Sequence, residues 1–147
     1  MVIHYWQKNN KRKYELLLLD LNMPKLINLE THTDKRGNLT VIEDIFPFPM
    51  KRIFYIYGVD DSERGGHRHH KTIQAAICLQ GRCEIYCDNG TSKSHYILDA
   101  PSKCLILCPE DWHKMYNFTP NAILMVVASE TFDPNDYIFK PYPTTND

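Results

Sequence analysis

The stretch "RGGHRHHKTIQAAICLQG", residues 64–81, decides how this chain is read. It sets His67, His69 and His70 within four positions, directly ahead of the apolar run "TIQAAICLQ" (72–80). His67 and His69 are two apart, so on an extended strand both imidazoles project to one face, and Arg68 and His70 to the other. Three uses compete: a metal site, an acid–base site, or surface histidines on a loop. The last is the weakest, because ionisable rings on one face beside an apolar strand need a polar cavity or solvent.

Outward from this stretch the pattern is β. "NLTVIED" (38–44) alternates, and "KRIFYIYGV" (51–59) is aromatic and β-branched. "RCEIYCDNG" (82–90) puts Cys83, Ile85 and Cys87 on one face and Glu84 and Tyr86 on the other, then ends in the turn signal Asp88-Asn89-Gly90. "SHYILD" (94–99), "CLILCP" (104–109), "HKMYNF" (113–118) and "AILMVVAS" (122–129) follow. Eight or nine short strands at this spacing predict a sandwich or barrel of the jelly-roll type. The only helical expectation is a short turn around Pro134–Tyr137.

The length of 147 residues fits one domain. The N-terminal 1–25, including "KNNKRK" (8–13) and "YELLLLDLNMP" (14–24), reads as an extension with no assigned role, and 26–147 as the single domain. A formal charge of −1 supplies no field for nucleic acid or an anionic membrane. The aliphatic run "LLLL" (16–19) is far short of the ~20 residues of a spanning helix, and no secretory signal is recognisable. Five cysteines without a C-x-x-C pair are expected to be reduced core residues of a cytoplasmic protein. His4, His32 and His95 are expected at the surface, and Trp112 in wall packing or stacked on a base.

The central stretch spells H-x-H-x4-Q-x6-G, and "PEDWHKMYN" (109–117) adds Pro109, His113 and Asn117. These two stretches resemble the paired motifs of the cupin superfamily, a small β-barrel with an interior ligand cavity. In metal-binding cupins the positions of His67, His69, Gln74 and His113 converge on one ion. Gln74 departs from that set, since a neutral amide is a poorer ligand for hard divalent metals than a carboxylate, although three imidazoles alone can hold zinc. Without a metal, two same-face histidines can take a proton at one carbon and return it at its neighbour, because histidine titrates near neutrality.

"DKRGNLTVIED" (34–44), "KRIFYIYGV" (51–59), the histidine stretch, "CPEDWHKMYNF" (108–118) and "VVASETFDPNDYI" (126–138) occur in order. Together they resemble the sugar-nucleotide 3,4-ketoisomerases, which act on dTDP-4-keto-6-deoxyglucose in the biosynthesis of unusual deoxyamino sugars. The resemblance implies a metal-independent cupin without cofactor, and a homodimer that exchanges N-terminal strands. It implies a dTDP-sugar substrate and proton transfer between C3 and C4 by His67 and His69. Tyr55 would stand near the sugar. Arg36, Arg52 and Arg64 would reach the diphosphate, where a guanidinium fork suits phosphate oxygens. His113 and Tyr116 would line the cavity mouth, and Gln74 would bond a sugar hydroxyl or a histidine. Alternatives are a 3,5-epimerase on the same substrate class, a metal-dependent cupin enzyme, and a sugar-binding regulator. Burial is expected to hold the imidazoles partly neutral, with activity falling as pH drops through the low sixes.

Overall fold

Alternation of apolar and polar residues gives each strand one face to bury, and two such faces closed on each other make the interior. The computed structural model describes residues 23–144. "KNNKRK", "LLLL", His4 and most of the N-terminal extension lie outside the described residues.

Twelve strands follow one another: β1 Lys25–Asn28, β2 Thr31–Asp34, β3 Gly37–Thr40, β4 Arg52–Tyr57, β5 Arg64–His69, β6 Gln74–Gln80, β7 Cys83–Asp88, β8 Lys93–Leu98, β9 Lys103–Leu107, β10 Trp112–Tyr116, β11 Ile123–Ala128 and β12 Tyr137–Ile138. Among the described residues a single 3-10 turn, Pro134–Asp136, stands where the short helical turn is expected. One five-stranded antiparallel sheet runs β1-β9-β6-β11-β4, and the other runs β12-β5-β10-β7-β8. This is the predicted all-β jelly roll. The strands that sequence patterning did not mark, β1, β2 and β12, are short and carry little apolar alternation. The β2–β3 ribbon pairs with neither large sheet, and its residues are almost all exposed.

Between the sheets lie Ile85, Leu98, Leu105, Leu124 and Val126, all with no exposed surface, together with Cys78, Cys83 and Cys87. Each fully buried aliphatic side chain here contributes roughly 1.5–3 kcal/mol of transfer free energy. All five cysteines are buried, as core residues are expected to be. A second apolar layer covers the outer face of the first sheet. Ala75, Ile77, Ile106 and Val127 pack beneath Phe46 and Phe48, whose rings stack at 5.3 Å. This cover stops short of β4, so Ile53, Tyr55 and Tyr57 remain 58%, 64% and 68% exposed on one outward face. The turn at Asp88-Asn89-Gly90 forms as read: Gly90 takes φ 88° and its amide donates to Asp88 Oδ1 at 2.8 Å.

Candidate active site

Register carries the polar residues to one end of the interior. Across the first sheet, Leu107, Gln74, Ala128 and Arg52 share one rung. Gln74 has the parity of inward Ala76 and Cys78, and Arg52 that of inward Phe54 and Ile56. Ala128 stands between them with no exposed surface. Across the second sheet, Cys87, His113 and His67 share a rung.

The two glycines before His67 make this rung possible. Gly65 and Gly66 take φ of 79° and 75°, and the β5–β10 register slips by one residue between His113 and Lys114. A Cβ at Gly65 would lie 2.7 Å from the carbonyl oxygen of His113, so the two backbones meet where only glycine fits. The bulge turns His67 and His69 into the interior opposite His113.

The ring centroids of His67 and His69 are 5.0 Å apart, those of His67 and His113 5.0 Å, and those of His69 and His113 6.3 Å. His69 and His113 are buried, while His67 is half-buried. Nδ1 of each buried ring has an acceptor: Asp136 Oδ2 at 3.0 Å for His69, and the carbonyl oxygen of Asp111 at 2.9 Å for His113. A carbonyl only accepts, so His113 carries its proton on Nδ1 and its Nε2 holds a lone pair. Nε2 of both rings, Oε1 of Gln74 and Nε of Arg52 are buried without a protein partner. Four unpaired polar atoms on inward-facing residues at one end of a barrel describe a place for a polar ligand, because each would otherwise forfeit roughly 1–3 kcal/mol of hydration.

Burial, reinforced by neighbouring His67, pushes the His69 imidazole down to about 4, against the opposing pull of Asp136. Burial likewise takes His113 to about 3 and holds His67 below its ordinary value. At neutral pH these rings are neutral bases. Burial thus holds the imidazoles neutral as expected, with all three below the ordinary histidine value. Burial works to raise the Asp136 carboxyl, but hydrogen bonds from Thr72 Oγ1 and the Lys71 amide, with the His69 ring, outweigh it and hold it below the usual range.

The C-terminal segment walls the site. Tyr137 packs its ring centroid 4.7 Å from both His67 and His69, and Phe139 lies 6.0 Å from His67. The Arg52 guanidinium sits over Phe54 at 5.3 Å and over Phe132 at 5.7 Å. Trp112 is wall packing under this segment, its Nε1 donating to the Phe139 carbonyl oxygen at 3.1 Å.

Of the residues singled out in the sequence, His67, His69, His113, Gln74 and Arg52 come together. Tyr55 does not: it lies on the outward face of β4, stacked on Tyr57 at 5.8 Å. Tyr116 points outward from β10 beside His95, at 6.0 Å. Arg36 sits at the tip of the β2–β3 ribbon, its Nη2 2.5 Å from Asp34. Arg64 is exposed at the start of β5. Period-two parity opposes these placements within one chain: Tyr55 is out of phase with Arg52, and Tyr116 with His113. Arg68 and His70 do face away, Arg68 lying over Tyr142 at 4.4 Å and His70 exposed. His32 and His95 are surface residues, each beside a glutamate.

Asp136, Thr72 and Tyr137 went unmarked in the sequence. A signal exists in "FDPNDY" (132–137): Asp133 caps the 3-10 turn by accepting from the Asn135 amide at 2.9 Å, and Pro134 opens it. That turn fixes where Asp136 points. As to metals, among the described residues no cluster of three or more histidine, cysteine, aspartate or glutamate side chains has ion-holding geometry.

The family model described as "FdtA: WxcM-like, C-terminal" matches residues 22–143, most of the chain. This chain belongs to that family. A curated relative, TDP-4-oxo-6-deoxy-alpha-D-glucose-3,4-oxoisomerase of Aneurinibacillus thermoaerophilus, is 38% identical over 126 residues, covering 80% of this chain and 91% of that protein. Among solved structures, a double mutant of the QdtA 3,4-ketoisomerase of Thermoanaerobacterium thermosaccharolyticum in complex with TDP matches at 41% identity and TM-score 0.77, over 82% of this chain and 89% of that one. A histidine-to-asparagine mutant of QdtA in complex with TDP-4-keto-6-deoxyglucose matches at 40% identity and the same TM-score of 0.77, with 82% and 89% covered. WlaRA, a TDP-fucose-3,4-ketoisomerase of Campylobacter jejuni, matches at 36% identity and TM-score 0.74, with 80% and 89% covered.

Proposed function

We propose that the chain is a cofactor-independent dTDP-4-keto-6-deoxyglucose 3,4-ketoisomerase, an isomerase of a deoxysugar pathway. The observation that carries this reading is the His67–His69 pair, 5.0 Å apart on one inward face at the polar end of the barrel. The family and its TDP-bound ketoisomerase neighbours supply the substrate class.

In this reading the carbonyl at C4 acidifies the proton on C3. A neutral imidazole of the pair takes that proton, leaving an imidazolium and an enediolate. The O3 hydroxyl passes its proton to O4 through water, the other imidazole gives a proton to C4 as it receives one from the first imidazolium, and the ketone stands at C3 with both rings neutral again. Atoms and charge balance with no oxidant or reductant. The Arg52 guanidinium, with an inward donor free, binds the diphosphate. Gln74 and His113 meet sugar hydroxyls with their unpaired acceptors.

The same reading has residues 26–147 as one cupin domain, working as a cytoplasmic homodimer. The outward Ile53, Tyr55 and Tyr57 and the unpaired β2–β3 ribbon are where a second copy would pack. It is in that setting that Tyr55, Arg36, Arg64 and Tyr116 keep a role at a substrate.

The test is incubation with dTDP-4-keto-6-deoxyglucose in heavy water, followed by NMR. The expected product is the 3-keto sugar. Deuterium at C5 with the ketone still at C4 would instead make the chain an epimerase. Stoichiometric metal after purification without added metal, together with loss of turnover on chelation, would overturn cofactor independence.

A further inference from the structure

The carboxylate behind His69 has three donors and one evident purpose. Asp136 Oδ1 accepts from the Lys71 amide at 2.9 Å. Its Oδ2 accepts from Thr72 Oγ1 and faces His69 Nδ1 at 3.0 Å. The carboxylate is 4% exposed and His69 3%, so this is a closed contact and not a surface ion pair. The side-chain partners of Asp136 are the Lys71 amide, the Thr72 hydroxyl and the His69 ring. Its backbone is pinned as well: its carbonyl accepts from the His70 amide at 2.9 Å, and its amide donates to the Asp133 carbonyl oxygen at 3.1 Å.

We infer that Asp136 is a positioning residue for the isomerisation: held by Thr72 and the Lys71 amide, it fixes His69 as the Nδ1–H tautomer and aims the Nε2 lone pair into the site. This rests on the ketoisomerase reading for its chemistry. A carboxylate is a pure acceptor, so the His69 nitrogen that faces it must donate, and Nε2 is left as the proton acceptor. His67 has a backbone hydrogen bond to Gly65 in place of a carboxylate, so the two rings are not equivalent.

Substitution of Asp136 by asparagine tests this sharply, because the amide has only one way to sit. The Lys71 amide cannot be reversed, so the asparagine oxygen must stay opposite it. The NH2 group then faces Thr72, whose hydroxyl can rotate to accept, and His69 Nδ1, which cannot keep its proton there. The ring is driven to the Nε2–H tautomer, with its lone pair pointing away from the substrate.

For Asp136→Asn the expected result is a fall in kcat of about 10²–10⁴-fold, the range of a lost general base, with KM and the affinity for TDP changed less than about threefold. The ¹⁵N NMR signals of the His69 ring should show Nδ1 protonated in the wild type and Nε2 protonated in the variant. Other groups facing or near the ring are His67, His113, Arg52 and Tyr137. All remain in Asp136→Asn, so the acid limb of the rate profile should move to lower pH through loss of the carboxylate's charge alone. Thr72→Val, which removes one of the donors, should lower kcat several-fold.

Wild-type kcat in Asp136→Asn, or weakened TDP binding at unchanged kcat, would overturn the inference. So would an Nε2–H ring in the wild type, which decides the matter even where the variant does not fold. A wild-type enzyme with an Nδ1–H ring but no turnover of the keto sugar would sink the ketoisomerase reading and leave the fixed tautomer standing.

Discussion

The two ends of the barrel interior are built from the same strands and behave oppositely. At one end Leu98, Leu105, Leu124 and Val126 fill the space between the sheets with no exposed surface. At the other, a few residues along, the inward positions are Arg52, Gln74, His67, His69 and His113, with four buried atoms left unpaired. The apolar end stabilises the fold. The polar end costs stability, since buried polar groups without partners are disfavoured, and such a cost is expected where a ligand will supply the missing bonds.

The contrast predicts that changes at the two ends separate activity from stability. His69→Asn, which cannot shuttle a proton, should lower turnover by about 10²–10⁴-fold while TDP binding survives; wild-type turnover in this variant would remove His69 from the chemistry. At the other end Leu124→Ala should cost about 2–5 kcal/mol of folding stability, read from denaturant midpoints, with kcat of the folded fraction nearly unchanged. Arg52→Met should weaken TDP binding by about tenfold or more, the loss of a charged hydrogen bond, and calorimetric titration measures it.

Acidity should act on the polar end first. His69 at about 4 and His113 at about 3 lie below the ordinary histidine value of 6.5, as does His67. Between pH 6.5 and 4 the unfolded chain therefore binds protons that the folded one refuses, and stability falls as pH falls. Asp111 opposes this, since burial raises its carboxyl to about 6 and the folded state takes its proton first. With three rings against one carboxyl the balance still favours unfolding in acid, so the thermal midpoint should drop from pH 6.5 to 4.5. kcat/KM should decline in acid with a midpoint below the ordinary histidine value of 6.5, because burial lowers all three rings. The smallest effect is expected at Tyr55→Phe, which keeps the outward ring and removes only its hydroxyl: with that face brought to a substrate by a second copy, kcat should fall roughly several-fold, less than for loss of a general base. Unchanged kcat would take Tyr55 out of the site.

Much of this contrast was legible in the sequence. Alternation in "CEIYCD" marks a strand because a two-residue period buries one face, and the aromatic and β-branched run "RIFYIY" marks another by composition. The spacing of His67 and His69 placed them side by side for the same reason. The placement of Tyr55 and Tyr116 shows the limit: resemblance proposed them for the site, yet parity with Arg52 and His113 sends them outward in one chain. Asp136 was missed because nothing in its spacing links it to His69, 67 positions away. Only the closure of the C-terminal segment onto β5 joins them, and long-range pairing of two residues, Tyr137 with His69 and Ile138 with Arg68, leaves no periodic trace.

The sealed thiols carry a practical consequence. Every cysteine of the chain is interior, spread over β6, β7, β9 and the bend after it. A sulfhydryl reagent therefore meets no target until sheets part, and four of the five stay protonated well past neutrality: Cys83 through its hydrogen bond with Cys78 and then burial, and Cys87, Cys104 and Cys108 through burial. The labelling rate becomes a clock for opening, one that needs no engineered probe and that a bound nucleotide sugar should slow.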